Sequence, residues 1–125
     1  MTDGDLRQAF LALRDEFLEI CRGRIGVIER NWSEITSGSD DAKNPEALEF
    51  VKREAHTIAG TSGTYGYADV SKSAKELEVL CIRLMDQGVS DMDDAQKEEL
   101  AAAVTSLLEE STRMFADPEI GTVPF

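Results

Sequence analysis

The sequence predicts an all-α fold, an antiparallel up-down four-helix bundle with an additional N-terminal helix. Alanine, leucine and glutamate are abundant, and all three favour helices. Apolar residues recur at spacings of three and four, whereas strand-like runs of Val, Ile and Thr are absent. The length of 125 residues, 42% of them hydrophobic, suits one domain. Residues 1–125 are therefore predicted to form a single domain, with a core of about 5–116 and a tail or linker at 117–125.

Two helical stretches are predicted before the first turn cluster. The stretch 5–20 carries one apolar stripe, formed by Leu6, Phe10, Leu13, Phe17 and Ile20. The stretch 22–37 carries a second stripe, formed by Ile25, Ile28, Trp32 and Ile35. Gly23 and Gly26 stand near the junction, and because glycine weakens a helix we expect a kink or break there. The first stretch is thus the additional N-terminal helix.

Three further helices follow a turn cluster at 37–45. The first of them runs from about 45 to 64, and Pro45 fits its first turn. The next two cover about 70–87 and 93–116, each with an apolar stripe at helical spacing. Short connections between the helices favour an up-down bundle, in which the N-terminal helix adds to the bundle or covers one end.

Four residues are expected to mark helix ends. Asp69 is a candidate N-cap for the helix at 70–87, because a carboxylate can accept hydrogen bonds from free backbone N–H groups. Gly88 fits the position just after that helix. Asp91 or Asp93 is expected to cap the last helix.

Charge and composition exclude several classes of function. The net charge of −12 disfavours binding to nucleic acids and to anionic membranes, and is typical of a solvated surface. Cys21 and Cys81 stand at apolar helix positions, which predicts buried free thiols instead of a disulfide or a metal site. The N-terminus lacks the apolar region of a signal peptide, and no apolar run is long enough to span a bilayer. A reducing, cytoplasmic location is expected.

His56 is the only histidine of the chain. The helix at 45–64 has one apolar face, and His56 lies about 130° from the centre of that face at roughly 100° per residue. Its ring is therefore expected to face solvent, although a lone histidine more often has a structural role.

The positions that follow His56 on its side of the helix carry almost no side chains. Ala59, Gly60 and Gly63 lie three, four and seven residues further on. Each glycine inside a helix costs about 0.5–1 kcal/mol relative to alanine, which indicates close approach by another molecule. The alternative, close packing between helices, is disfavoured because the glycines lie away from the core stripe.

Positive charge flanks the ring on the other side. Lys52 and Arg53 precede His56 by one helical turn, and helical side chains lean toward the N-terminus. A neutral imidazole can attack phosphorus, and cations can offset the charge of the transferring oxygens. An exposed nucleophile with open space beside it thus favours phosphoryl transfer.

The segment AHTIAGTSGTYGY, followed by AKELE, resembles the histidine-containing phosphotransfer (HPt) domain of bacterial two-component phosphorelays. The family pattern is His-x-Leu-Lys-Gly, a small-residue stretch, Gly-Thr-Phe-Gly-Phe, and a helix ending in Leu-Glu. The matching residues are His56, Ile58, Gly60, Gly63, Thr64, Tyr65, Gly66, Tyr67, Leu77 and Glu78.

The resemblance implies that His56 accepts a phosphoryl group on Nε2 from a receiver aspartate or a kinase, and passes it to another receiver. It implies a carrier without an ATP site or cofactor of its own, since magnesium belongs to the receiver. Glu78 would hydrogen-bond Nδ1 and orient the ring. Surface apolar residues of the first helix would dock the receiver, the candidates being Leu6, Phe10 and Leu13. A monomer is the expected state.

One departure from the family pattern affects the site. The lysine that follows the histidine by three residues is replaced by Ala59. Its cationic role is missing or is supplied by Lys75, one turn before Glu78, or by Lys52 or Arg53.

Four alternative functions fit the sequence less well. A docking or adaptor module that is never phosphorylated would not need an exposed histidine. A histidine kinase dimerisation domain has an acidic residue and a nearby proline after its histidine, whereas Thr57 follows His56. A di-metal bundle needs paired Glu-x-x-His motifs, and the chain has one histidine. A nucleotide loop at GTSGTYG lacks the Gly-Lys-Ser/Thr ending.

Overall fold

The computed structural model describes residues 2–37 and 44–123. These residues form four α-helices: α1 (Asp3–Ser37), α2 (Asn44–Thr64), α3 (Ala68–Gln87) and α4 (Asp94–Ala116). Two short 3-10 helices, Val89–Asp91 and Pro118–Ile120, follow α3 and α4. No strand occurs in the described ranges, so the all-α prediction is confirmed. The predicted turn cluster falls largely on residues 38–43, outside the described part of the chain.

The predicted break in the first helical region is wrong. α1 is one continuous helix of 35 residues, so the additional N-terminal helix is its first half. The buried side chains continue in phase across the glycines, as Leu18, Cys21, Ile25 and Ile28. Two helical glycines cost about 0.5–1 kcal/mol each. Each fully buried Leu or Ile side chain contributes about 1.5–3 kcal/mol, so packing outweighs the cost of the glycines.

The helix ends agree with the sequence in two cases and differ in one. The backbone N–H of Gly88 donates to the carbonyls of Leu84 and Met85 at the end of α3, as predicted. Asp93 caps α4, accepting from the backbone N–H of Gln96 at 2.8 Å. Asp69 is not a cap, because α3 begins at Ala68, two residues before the predicted start, and Asp69 lies within its first turn.

All four helices contribute to one core. Its largest fully buried side chains are mostly branched aliphatics, and they include Ile28 of α1, Leu48 and Ile58 of α2, Leu77 and Leu84 of α3, and Leu100, Leu107 and Met114 of α4. Cys21 and Cys81 are free and buried, as predicted. Burial raises the pKa of the Cys21 thiol to about 11 and that of Cys81 to about 12, so both remain protonated at neutral pH.

The register between α2 and α3 positions the histidine. The Ser71 hydroxyl donates to the Ala59 carbonyl at 2.7 Å, and His56 contacts Glu78. Residue numbers rise along one helix as they fall along the other, so α2 and α3 are antiparallel. The connection between α2 and α3 is short, so the two helices are in contact from the first turn of α3 onward.

The turn between α2 and α3 packs against the segment after α4. Gly66 has a φ of 79°, which L side chains rarely adopt. A Cβ at this position would also meet the backbone nitrogen of Thr122. The Tyr67 hydroxyl donates to the Pro118 carbonyl at 2.8 Å, and Arg14 lies 3.4 Å from Glu119. The segment predicted as a tail or linker is therefore packed on the domain through Thr122, and its last two residues lie outside the described ranges.

Gly66→Ala is expected to lower the free energy of unfolding by at least about 2 kcal/mol, because the backbone conformation and the close approach both exclude a side chain. Chemical denaturation of both proteins measures this difference. Gly23→Ala is the matched control, since a Cβ at Gly23 would meet nothing within 4 Å. Equal midpoints for Gly66→Ala and the native protein would contradict this role of Gly66.

Candidate functional site

His56 lies on the outer side of α2. The buried face of this helix is formed by Ala47, Leu48, Val51, Ala55, Ile58 and Ser62. That face holds the helix against the core and leaves position 56 pointing outward. The His56 side chain is 72% exposed, as its place on the helical wheel predicts.

Glu78 of α3 contacts the His56 ring from the side. Its Oε2 atom is the hydrogen-bond partner of His56 Nδ1. The Glu78 side chain is only 8% exposed, because it stands beside the buried Leu77 on the edge of α3 that faces α2. Its other oxygen, Oε1, accepts a hydrogen bond from Lys75 Nζ at 2.9 Å. Both oxygens of this buried carboxylate are thus satisfied by side chains at the surface.

The charge state of Glu78 follows from two opposing effects. Burial alone would raise its pKa, but the hydrogen bonds from Lys75 and His56 outweigh burial and lower the pKa below the ordinary carboxyl value. The carboxylate is therefore ionised at neutral pH and can only accept hydrogen bonds. An imidazole next to it must present Nδ1–H, and in the neutral ring this leaves the lone pair on Nε2.

The three candidate cations differ in their partners. Lys52 Nζ lies 3.1 Å from Glu49 Oε2, and Arg53 Nε donates to Glu49 Oε1 at 3.0 Å. Hydrogen bonding from Lys52, with a smaller contribution from Arg53, lowers the pKa of Glu49. Lys75 is the one of the three that contacts Glu78. The structure thus brings together His56, Glu78 and Lys75, and pairs Lys52 and Arg53 with Glu49.

The three small residues after His56 have different surroundings. A Cβ at Gly60 would meet nothing within 4 Å, so no contact within the described residues requires glycine there. A Cβ at Gly63 would lie 3.3 Å from Ser71 Oγ, and the Ala59 carbonyl accepts from the same hydroxyl. The sequence predicted that another molecule would approach closely at all three positions. The structure gives Ala59 and Gly63 a role in packing against α3, and leaves Gly60 open.

The candidate docking residues of α1 separate into two groups. Leu6 and Leu13 are exposed, whereas Phe10 is half-buried with its ring centroid 5.3 Å from that of Tyr65. The sequence placed Ile20 in the core stripe, but its side chain is 51% exposed because the core face of α1 runs through Phe17, Leu18 and Cys21. The seven-residue spacing of Leu6, Leu13 and Ile20 places them in one exposed row, which that spacing alone could have indicated.

Two contacts show where this row lies relative to the histidine. Arg24 pairs with Glu54 of α2 at 3.0 Å, and the rings of Phe17 and Tyr65 are 5.0 Å apart. Ile20 lies between Arg24 and Phe17 on α1, so it is level with the part of α2 that contains His56 and Gly60. Other exposed apolar residues that the sequence did not single out are Phe50, Val79, Ile82 and Ile120.

Comparison with protein-family models gives a match to the Hpt domain over residues 12–110, which is most of the chain. Neither the curated proteins nor the solved structures include a significant match. Within the described ranges, no group of three or more His, Cys, Asp and Glu side chains is arranged to hold a metal ion. None of the helices in those ranges has an apolar stretch that could cross a membrane.

Proposed function

The chain belongs to the Hpt domain family, whose members perform histidine phosphotransfer in two-component signalling and interact with kinases and response regulators, and we propose that it does so through His56. The observation that carries this proposal is the exposed ring whose Nδ1 is held by a buried, ionised carboxylate. The nitrogen that remains available is Nε2, and Gly60, one helical turn further along α2, has open space beside it.

In the proposed reaction, the Nε2 lone pair attacks the phosphorus of a receiver aspartyl phosphate. The Nε2–P bond forms, the bond between phosphorus and the aspartyl oxygen breaks, and the receiver leaves as a carboxylate. The positive charge that develops on the ring is stabilised by Glu78, to which Nδ1–H remains hydrogen-bonded. Transfer to a second receiver is the reverse reaction. This chain supplies no cofactor, and magnesium would be held by the receiver.

The receiver is proposed to dock on the exposed row of α1 formed by Leu6, Leu13 and Ile20. The Ile20 end of this row is level with the part of α2 that carries His56 and Gly60, so a partner seated there would reach the ring over Gly60. Phe10, which packs on Tyr65, would support the row from beneath. We also propose that the four helices follow an up-down order and that the protein acts as a monomer in the cytoplasm.

The proposal is tested by incubating the protein with a panel of phosphorylated receiver domains. We expect at least one receiver to transfer a phosphoryl group that is labile in acid and stable in base, as a phosphohistidine is. Stable binding of a receiver without any transfer would contradict phosphotransfer and favour the adaptor alternative.

Gly60→Leu is expected to slow transfer from a receiver about tenfold, because the new side chain occupies the space through which the partner approaches. Leucine is a good helix former, so the unfolding free energy should not fall. Phosphorylation by phosphoramidate, a donor of only a few atoms, should be nearly unchanged. Gly23→Leu on α1, also in open space, is the matched control. Equal receiver rates for the Gly60 variant and the native protein would show that Gly60 does not border the interface.

A further inference from the structure

We propose that Lys75 is the cation that accompanies the phosphoryl group on His56, and that between transfers it is stored on Glu78. This inference rests on the proposed function and adds a residue to its site. It also resolves which of the three nearby cations serves the histidine.

The two oxygens of Glu78 have different partners. Oε2 of Glu78 is the hydrogen-bond partner of His56 Nδ1, and Oε1 accepts a hydrogen bond from Lys75 Nζ. One buried carboxylate therefore links the nucleophile to the cation. The Lys75 side chain is itself 62% exposed. It has a flexible four-carbon stem and is free to turn toward solvent while Glu78 stays in place.

Phosphorylation of His56 would place two negative groups at the ring. A phosphoryl group brings a charge of about −1.5 to −2 to a ring that already contacts an ionised carboxylate. Two negative groups on one small ring repel each other unless a cation is close to both. Lys75 is already in contact with the carboxylate and is attached to the helix beside the ring. Moving its ammonium group from Oε1 toward the phosphoryl oxygens offsets the added charge without moving the backbone.

The other cations of α1, α2 and α3 are less suited to this role. Lys52 and Arg53 share Glu49, and Arg24 is paired with Glu54. To reach the phosphoryl group, each of these three cations would have to break an ion pair with a carboxylate that is not part of the site. Lys72, one turn before Lys75, is exposed and forms no ion pair among the described residues.

Position 59 offers a way to relocate the charge. Ala59 follows His56 by about one turn. Its carbonyl accepts a hydrogen bond from Ser71, which lies one turn before Lys75 on α3. A lysine at position 59 would therefore extend along the edge of α2 that faces α3, near the place from which Lys75 acts. If the role of Lys75 is the charge itself, a lysine at 59 should replace it.

The experiment compares transfer rates from phosphoramidate and from a phosphorylated receiver. Lys75→Gln is expected to lower both rates about tenfold. Lys75→Arg should keep most of the activity, and Ala59→Lys combined with Lys75→Gln should recover most of the loss. Lys72→Gln, the same charge change on the same helix, should leave both rates unchanged. Rescue by a charge on the other helix would not follow from a purely structural role of Lys75.

Any one of three results would overturn the assignment of Lys75. They are native rates in Lys75→Gln, an equal loss in Lys72→Gln, and failure of both Lys75→Arg and Ala59→Lys to restore activity. These results would leave the proposed function intact, because the native protein would still be labelled on His56. Absence of label on the native protein with both donors would instead overturn the proposed function, and the assignment of Lys75 with it.

Discussion

His56→Gln is expected to abolish phosphoryl acceptance from every donor that labels the native protein. Glutamine has a similar size and can still hydrogen-bond Glu78, but its amide nitrogen has no available lone pair with which to attack phosphorus. His56 is exposed and contributes nothing to the core, so the unfolding midpoint should remain close to the native value. The measurement is the rate of label incorporation, compared with helicity and thermal unfolding of the same preparations.

The control for this variant is Thr57→Val, a change at the adjacent residue that leaves the imidazole intact. It should retain label at close to the native rate. The His56→Gln variant contains no histidine. Any label that survives in that variant would show that another residue accepts the phosphoryl group and would contradict the assignment.

Glu78→Ala is expected to slow transfer by about 10- to 100-fold while the domain stays folded. Without the carboxylate, nothing holds the proton on Nδ1 or fixes the plane of the ring, so the productive tautomer and orientation are only partly populated. The loss of stability should be about 1 kcal/mol, since both partners of Glu78 sit at the surface and become solvated when it is removed. Single-turnover rates from phosphoramidate measure the effect without a partner interface.

Glu78→Gln separates the charge of the carboxylate from its shape. Its amide oxygen still accepts from Nδ1–H, so the rate should fall between those of the native protein and Glu78→Ala. Equal rates in all three proteins would show that Glu78 does not orient the ring. Lys72→Gln again serves as a surface control on the same helix.

Acid should weaken the same contact in the native protein. The folded-state pKa of Glu78 is lowered from its ordinary value of 4.5, so its contribution to stability is complete above that value. The contribution is lost as the pH falls through the lowered folded-state pKa. In Glu78→Ala this part of the acid dependence of unfolding should be absent.

The helices and the exposed histidine could be predicted because each depends on local periodicity. The apolar face of α2 fixes the direction of His56, and Gly88 and Asp93 end and begin helices through bonds to their own neighbours. The continuity of α1 could not be predicted from its glycines, because it depends on how much surface Cys21, Ile25 and Ile28 bury against other helices.

The arrangement of the site depended on contacts between helices, which periodicity does not give. Resemblance to a family implied that Glu78 meets the ring, but the sharing of its second oxygen with Lys75 required the register of α2 against α3. The same register separated Gly63, which packs on Ser71, from Gly60, which does not. The role of Gly66 was hidden because its neighbour, Thr122, is distant in sequence.

The central claim is that a ring held at Nδ1 by Glu78 is phosphorylated at Nε2. Nitrogen-15 labelling of histidine reports His56 alone, because the chain has a single histidine. In the unphosphorylated protein at slightly basic pH, we expect a protonated Nδ1 and an unprotonated Nε2, and after phosphorylation a phosphorus–nitrogen coupling at Nε2. A proton on Nε2 before the reaction, or phosphorus bonded to Nδ1 after it, would contradict the account.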